Sequence, residues 1–270
     1  MSGERDTLPQ ERQQAILQRL REHGRVVAAE LAERFAVSED SIRRDLRELA
    51  AQGLCRRVYG GALLPTPTFA PLPQRQAEHA ERKRALALAA VALVKPGQRL
   101  LIDAGSTNSA IAAALPAGQG LSVVTNAPDI AHLLLRREGI EILLIGGRLD
   151  PRSGAAVGAQ ALQQLRQLRA DLCFPGACAI DPERGLWGVD DEESLFKRAM
   201  VEASAETVAV VTSDKLGTLA AHRVVGVEAI DRLVVEHDAP AGVLAAFATQ
   251  AVQVHRAAPP RGLRRPPDCL

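Results

Sequence analysis

Apolar positions in the first 64 residues recur at helical spacing. In "QERQQAILQRLREHG" the residues Ile16, Leu17 and Leu20 share one face, and Gly24 follows the last turn, where a C-terminal cap belongs. "RVVAAELAERFA" carries a second stripe of Val27, Leu31 and Phe35. After a tight turn at Val37 and Ser38, a third helix buries Ile42, Leu46 and Leu49 together. Periodicity then stops: residues 65–80, "PTPTFAPLPQRQAEHA", hold four prolines and read as a linker. Over 81–255, short apolar runs ("RLLID", "LSVVTN", "IEILLIGG", "ADLCFPG", "TVAVVTS", "DRLVVE") alternate with alanine- and leucine-rich helical segments. Strands apolar on both faces and separated by helices predict a buried, mainly parallel sheet. Residues 256–270, rich in proline and arginine, are expected to be disordered. The fold class is α/β: a small helical domain over 1–64, a linker over 65–80, a larger domain over 81–255 and a tail.

The polar positions of the third helix carry chemistry. Ser38 suits the N-cap, and Glu39 and Asp40 sit in the first turn, where the helix dipole favours acids. With Ile42, Leu46 and Leu49 buried, Ser41, Arg43, Arg44 and Arg47 are left for the other faces. Two helices joined by a tight turn, the second presenting guanidinium groups near its start, form the helix-turn-helix geometry that enters a major groove. Arginine suits that place because its planar fork can bond guanine O6 and N7 together or grip a phosphate. "LCRRVYGGALL" then predicts a hairpin around Gly60 and Gly61, a wing that would set Arg56, Arg57 and Tyr59 beside the DNA backbone.

Charge narrows the picture only locally. Lys and Arg number 11 over residues 1–64 against 10 Asp and Glu, which fits a small helical interaction domain as well as a DNA reader. Clustering of arginines at 43–57 favours DNA. The whole chain has a net charge of only +1, so a nucleic-acid site has to come from arrangement, not from bulk charge. The four cysteines (Cys55, Cys173, Cys178, Cys269) form no CxxC pair and suggest buried thiols of a reducing compartment, with no metal and no cofactor expected. The polar start shows no signal-peptide pattern. "ALALAAVALV" (85–94) is far shorter than the roughly 20 residues that span a bilayer, so a cytoplasmic protein without a membrane partner is expected.

In the larger domain, "LLIDAGSTNSAIAAAL" reads as strand, Gly/Ser/Thr loop and helix. Such a loop can aim N–H groups and the hydroxyls of Ser106 and Thr107 at an anion, although a plain capped turn has the same pattern. Thr125 and Asn126 end a second strand, Gly146 and Gly147 a third, and Asp214 and Lys215 a fourth. Ligands of open α/β sheets bind beyond the carboxyl ends of the strands, so this collection suits a small phosphorylated molecule. The carboxylates of "DDEES" (190–194) could serve an isomerase, but they read more simply as the acidic first turn of a helix. Trp187 could cover the pocket or sit in the core.

Two resemblances make these expectations specific. "VSEDSIRRDLRELAAQG" followed by "RRVYGGA" resembles the winged helix-turn-helix of the DeoR family of bacterial sugar-metabolism regulators. "ERKRALALAA", "DAGST", "VVTN", "AIDPERGL", "EESLFKRAM" and "DKLG" resemble that family's sensor domain, which is similar to the fold of ribose-5-phosphate isomerase. The resemblance implies a repressor that binds a double-stranded DNA operator as a homo-oligomer, a dimer or tetramer, and responds to a phosphorylated sugar. Carried onto this chain, it implies a phosphate-side loop of Asp103, Gly105, Ser106 and Thr107, with Thr125, Asn126, Asp181 and Lys215 lining the rest. Pro175, Cys178, Ala179 and Thr212 depart from the family's usual residues near that pocket. A constitutive DNA-binding protein with a decayed sensor, or an isomerase-like enzyme with a DNA-binding appendage, are the alternative readings.

Overall fold

Ile16, Leu20, Leu31, Ile42, Leu46 and Leu49, which the spacing assigns to three separate stripes, meet in one core with Val26 and Ala62. The computed structural model describes residues 9–23, 25–52, 54–63 and 70–260, and the chain divides into two compact units, 1–67 and 68–270. Gly24, expected to cap the first helix, lies outside the described residues, as do most of the expected tail (261–270) and Cys269.

The first unit runs α1 (Pro9–His23), β1 (Arg25–Val27), α2 (Ala28–Phe35), α3 (Glu39–Ala51), β2 (Arg56–Val58) and β3 (Gly61–Leu63). Val27 departs from its expected place in a helical stripe. The β-branched pair Val26–Val27 extends as β1 and pairs antiparallel with β3, so the wing has three strands in the order β1-β3-β2. The stripe of α2 is instead Ala28, Leu31 and Ala32. Gly61 permits the pairing: a Cβ there would stand 2.0 Å from the Val26 carbonyl oxygen. One ion pair crosses this core. Arg12 of α1 donates from Nε to Asp45 Oδ2 at 2.6 Å and from a terminal nitrogen to Oδ1 at 3.3 Å, with both side chains buried.

The second unit continues with α4 (Leu72–Ala77), α5 (Ala80–Val91), β4 (Arg99–Ile102), α6 (Ser106–Ala114), β5 (Leu121–Thr125), α7 (Pro128–Leu134), β6 (Ile140–Leu144) and the hairpin β7 (Arg148–Asp150) and β8 (Ala155–Val157). Then follow α8 (Ala159–Leu165), β9 (Ala170–Phe174), β10 (Ala179–Asp181), β11 (Gly185–Gly188), α9 (Asp191–Glu202), β12 (Ser204–Val210), β13 (His222–Val225), β14 (Arg232–Val235), α10 (Ala241–Thr249) and β15 (Gln253–Arg256). Seven strands form one sheet in the order β15-β14-β12-β9-β4-β5-β6, every neighbouring pair parallel. Their side chains alternate between two apolar layers. Leu100, Ile102, Leu172 and Phe174 pack with Leu86 of α5, Ile111 of α6 and Ile130 of α7. Leu101 and Cys173 face the other way, onto Leu165 of α8 and Phe196 and Met200 of α9. Helices on both faces explain why the strands read as unbroken apolar runs. A three-stranded antiparallel sheet, β10-β11-β13, stands beside the main sheet.

The expected linker over 65–80 is linker only in part. From Pro71 the chain is folded: α4 buries Leu72, whose N–H donates to Arg152 O at 3.1 Å, and α5 begins at Ala80. Prolines 71 and 73 lie before and within the first turn, where a missing N–H does no harm, so proline content alone misreads this stretch. The expected tail likewise starts too early, since Arg256 closes β15 and Ala257 is buried in the main core. No helix among the described residues is long and apolar enough to cross a membrane.

At the end of β14, Glu236 is buried and accepts both Arg82 Nε (2.5 Å) and a terminal nitrogen (2.6 Å), together with the Ser213 N–H at 2.7 Å. Burial opposes its ionisation, but the Arg82 and Ser213 hydrogen bonds outweigh it and bring the pKa from 4.5 to about 2.

Two predictions follow from these buried charges. Asp45→Ala strands Arg12 without its counter-charge and should cost about 3–5 kcal/mol, read as faster amide exchange throughout α1 and α3; unchanged exchange would make the pair dispensable. Because the Glu236 pKa is depressed on folding, its contribution is complete above about 4.5 and is lost as pH falls toward 2. Glu236→Gln should therefore flatten the acid side of the stability curve in that window, measured by urea midpoints across pH; a wild-type slope in the variant would refute the linkage.

Candidate DNA-binding and ligand sites

In the first unit, α2, the turn at 36–38 and α3 form the expected helix-turn-helix. Ser38 caps α3, its Oγ accepting the Ser41 N–H at 3.2 Å and lying 3.0 Å from Ser41 Oγ. Arg44 and Arg47 are exposed and make no hydrogen bond or ion pair with the described residues. Arg43 differs: it donates to Glu39 Oε2 at 2.7 Å and to Asp40 Oδ1 at 3.2 Å, one turn back on its own helix. A base contact by Arg43 therefore needs that pairing rearranged or carried along. In the wing, Arg57 is exposed on β2 and Tyr59 is fully exposed at the turn. Arg56 stands beside it in β2, its side chain outside the described set.

In the second unit, parallel strands deliver their carboxyl ends to one edge of the sheet. Across β12, β9, β4, β5 and β6 that edge spans about 19 Å, four spacings of roughly 4.8 Å. The expected ligand residues are distributed along that edge. The compact part lies at β9 and β4. Asp103, 1% exposed, accepts the Gly176 N–H at 2.8 Å on Oδ2, and the buried Lys197 Nζ is 3.3 Å from the same oxygen. Lys197 also donates to Glu193 Oε2 at 2.8 Å. Burial alone would lower the Lys197 pKa; Asp103 and Glu193 outweigh it and hold it above the ordinary lysine value. Gly176 lets the strands come this close, because a Cβ there would sit 2.7 Å from Asp103 Oδ2.

Above this triad, Gly105 caps α6 and Ser106 and Thr107 open it, placing free N–H groups and a helix dipole at the loop. Asn108 fixes the loop from below, donating to Asp103 O and Phe174 O, both at 2.9 Å. Asn126 fixes it from the side: its Oδ1 accepts the Ala104 N–H at 3.2 Å and its Nδ2 donates to Ala156 O at 3.3 Å. Thr125 Oγ1 accepts the Ala127 N–H at 3.1 Å. Both residues are buried, so they shape the loops and do not present free groups. Lys215, half-buried in the turn after β12, donates to Ala177 O at 2.7 Å, which brings its ammonium over the end of β9; burial lowers its pKa.

The remaining expected residues stand apart. Gly146, at the end of edge strand β6, is clamped by Gln164, which accepts its N–H and donates to its carbonyl, each at 3.2 Å; Gly147 follows it. Asp181 caps its own turn, accepting the N–H groups of Glu183 and Arg184 at 2.9 Å each. Trp187 is half-buried on β11 and donates to Arg184 O of the same hairpin. The acidic run divides: Asp190 caps α9 through the Glu193 N–H, whereas the Glu193 side chain joins the buried triad. Sequence reasoning passed over Lys197, Asn108 and Lys83, and gave Glu193 only a place in the acidic first turn of a helix. The available signal was a charged residue on the apolar face of a helix, as Lys197 is between Phe196 and Met200. Among the described residues no cluster of His, Cys, Asp and Glu could hold a metal ion. Cys55 and Cys173 are buried free thiols, burial pushing Cys173 up to about 11.

Comparison with known proteins follows the same division. The DeoR-like helix-turn-helix domain matches residues 12–68, and the DeoR C terminal sensor domain matches residues 78–237. A protein of Escherichia coli O157:H7 named as an aga operon transcriptional repressor is 36% identical, over 94% of this chain and 96% of its own length. The glycerol-3-phosphate regulon repressor of Escherichia coli K12 is 33% identical, over 90% of this chain and 97% of its own. Ribose 5 phosphate isomerase A from Neisseria gonorrhoeae overlays on 49% of this chain and 52% of its own at a TM-score of 0.37 and 19% identity, too distant to inform the site. With both units matched and full-length relatives above 30% identity, this chain belongs to the DeoR family of DNA-binding transcriptional regulators.

Proposed function

We propose that the protein represses genes of sugar metabolism and leaves its operator when a phosphorylated sugar binds the second unit. The observation that carries this reading is the match to named repressors of an aga operon and a glycerol-3-phosphate regulon, which runs through both units. Arg44, Arg47 and Ser41 of α3 read the major groove, with Arg43 joining once its acidic partners give way. Ser38, Arg56, Arg57 and Tyr59 hold the backbone. The active form is a homo-oligomer that sets two recognition helices about 34 Å apart, one turn of DNA, or a multiple of it.

The phosphate group rests on the start of α6, at Gly105, Ser106 and Thr107, with Lys215 as its cationic partner. Asp103, Thr125 and Asn126 support the loops. Gly146 and Asp181 fall outside this core because Gly146 is bonded to Gln164 of α8 and Asp181 caps its own turn, and Gly147 follows Gly146 at the edge strand. An isomerase would need a carboxylate free to move a proton. Asp103 and Glu193 are both committed to Lys197, which supports a sensor over an enzyme.

Anisotropy titration of the DNA upstream of the neighbouring genes, at fixed salt and with a panel of sugar phosphates, tests the proposal. Release by one of them is expected; specific binding indifferent to all of them would point to a constitutive binder. Arg44→Ala should weaken operator binding by about 1–3 kcal/mol and relax preference at one base, whereas an equal loss on every sequence would reassign it to phosphate. Lys215→Met should keep operator affinity and lose release by the sugar phosphate; a retained response would remove Lys215 from the site.

A further inference from the structure

The two edges of the main sheet differ in character. At one edge β15 carries Gln253, His255 and Arg256, and Arg256 donates to the carbonyls of His237 and Ala239. At the other, β6 reads Ile140, Glu141, Ile142, Leu143 and Leu144, with Leu143 46% and Leu144 45% exposed. These five residues include no proline or lysine and a single charge. An apolar edge without such guards is a template for a further strand.

The pairing of β6 with β5 shows which of its backbone groups are open. The Ile145 N–H donates to Thr125 O, and Thr125 stands in parallel register with Leu144. Backbone groups along a strand turn alternately to its two sides. Glu141, Leu143 and Ile145 therefore bond toward β5, and Ile140, Ile142 and Leu144 face outward. Gly146 obeys the same alternation, its outward N–H and carbonyl both being taken by Gln164 of α8. Among the described residues, the outward N–H and C=O groups of Ile142 and Leu144 meet no partner.

We propose that β6 pairs antiparallel with β6 of a second copy of this chain, across a twofold axis at Leu143, joining the two seven-stranded sheets into one. The inference rests on the homo-oligomer reading above and gives it a surface. The open groups complement themselves: Ile142 of each copy exchanges both backbone bonds with Leu144 of the other, four hydrogen bonds in all. Charge selects the register. An axis at Ile142 would set the two copies of Glu141 diagonally next to each other, like charge against like. The axis at Leu143 holds them four residues apart and lays leucine on leucine in a non-hydrogen-bonded pair, the closer kind. Gly146, already held by Gln164, ends the row. Pairing uses the one apolar edge of each chain, so the assembly closes and does not extend as a fibre. Five residues a side is well below the roughly 20–30 of a standing dimer, so this contact forms and parts with concentration.

Sedimentation of the full chain, together with thiol cross-linking, tests this. The wild type should sediment as an even oligomer. Leu143→Lys opposes like charges on the axis and should weaken the association by about tenfold or more. Leu143→Cys should yield a covalent dimer on mild oxidation, because directly opposed residues stand within disulfide reach. Glu141→Cys should not, since its two copies would lie about 13 Å apart, four residues at roughly 3.3 Å each. The cross-link is a gained property and keeps the test open if Leu143→Lys does not fold. An oligomer indifferent to Leu143→Lys, with no cross-link at position 143, would overturn the surface and leave the oligomer reading standing. A bond from the introduced thiol to Cys269 of its own chain would give the edge to the tail and overturn the pairing. A wild-type monomer at every concentration would overturn the oligomer reading, and this inference with it.

Discussion

The sensor unit is organised around one buried ion cluster, Asp103, Lys197 and Glu193. It joins the end of β4 to α9, on the face of the sheet opposite α5, α6 and α7, and Asp103 takes a further hydrogen bond from the β9 loop through Gly176. Such a cluster is weak evidence for stability in itself, but removing one member leaves an uncompensated charge in the interior. It fixes the height and direction of the loop that follows β4. Asn108 and Asn126 then spend their amides on backbone groups around that loop. The N–H groups at the start of α6 are therefore held in place by protein contacts, and the anion binding proposed there would need little further ordering.

The DNA-binding unit depends on a comparable device at smaller scale. A core to which each helix contributes two or three aliphatic residues is crossed by Arg12 and Asp45, which tie α1 to α3. Asp45 lies on the inner side of α3 while Arg44 and Arg47 point outward, so the pair sets the rotation of the recognition helix about its own axis. A simple aliphatic contact would tolerate several rotations; a bidentate guanidinium does not.

Much of this was legible in the sequence because the relevant signals are periodic. The stripes through Leu20, Leu31 and Leu46 and the apolar runs of β4, β5 and β9 follow from burial on one face or two, and both survive in the structure. Val27 and α4 were misread for local reasons. A β-branched pair extends when a partner strand is available, and prolines at a helix start look like a linker when counted without their position. The candidate site was legible as a set of strand ends, but not in the division of labour within it. Asn126 and Thr125 carry the same residue types whether they bind a ligand or hold a loop, and only their hydrogen-bond partners tell the two apart. Lys83 and Lys197 were passed over because a lysine in a helix is ordinarily solvated, although each stands at helical spacing from buried apolar residues, Leu86 and Ala87 for the one and Met200 for the other.

The pairing of Arg43 with Glu39 and Asp40 bears on how such a protein finds its operator in a genome. A recognition helix with only cationic groups would be attracted to any stretch of duplex and dwell there, since phosphate contacts carry no sequence information. Two carboxylates at the leading end of α3 repel that uniform field and occupy the guanidinium at the same time. On the proposed DNA contact, random encounters would be short, and a full contact would form only where a base offers the arginine a better partner than its own helix does. Residence at the correct site is traded against residence everywhere else, and in a chromosome, where wrong sites vastly outnumber right ones, shortening the wrong visits speeds the search more than lengthening the right one.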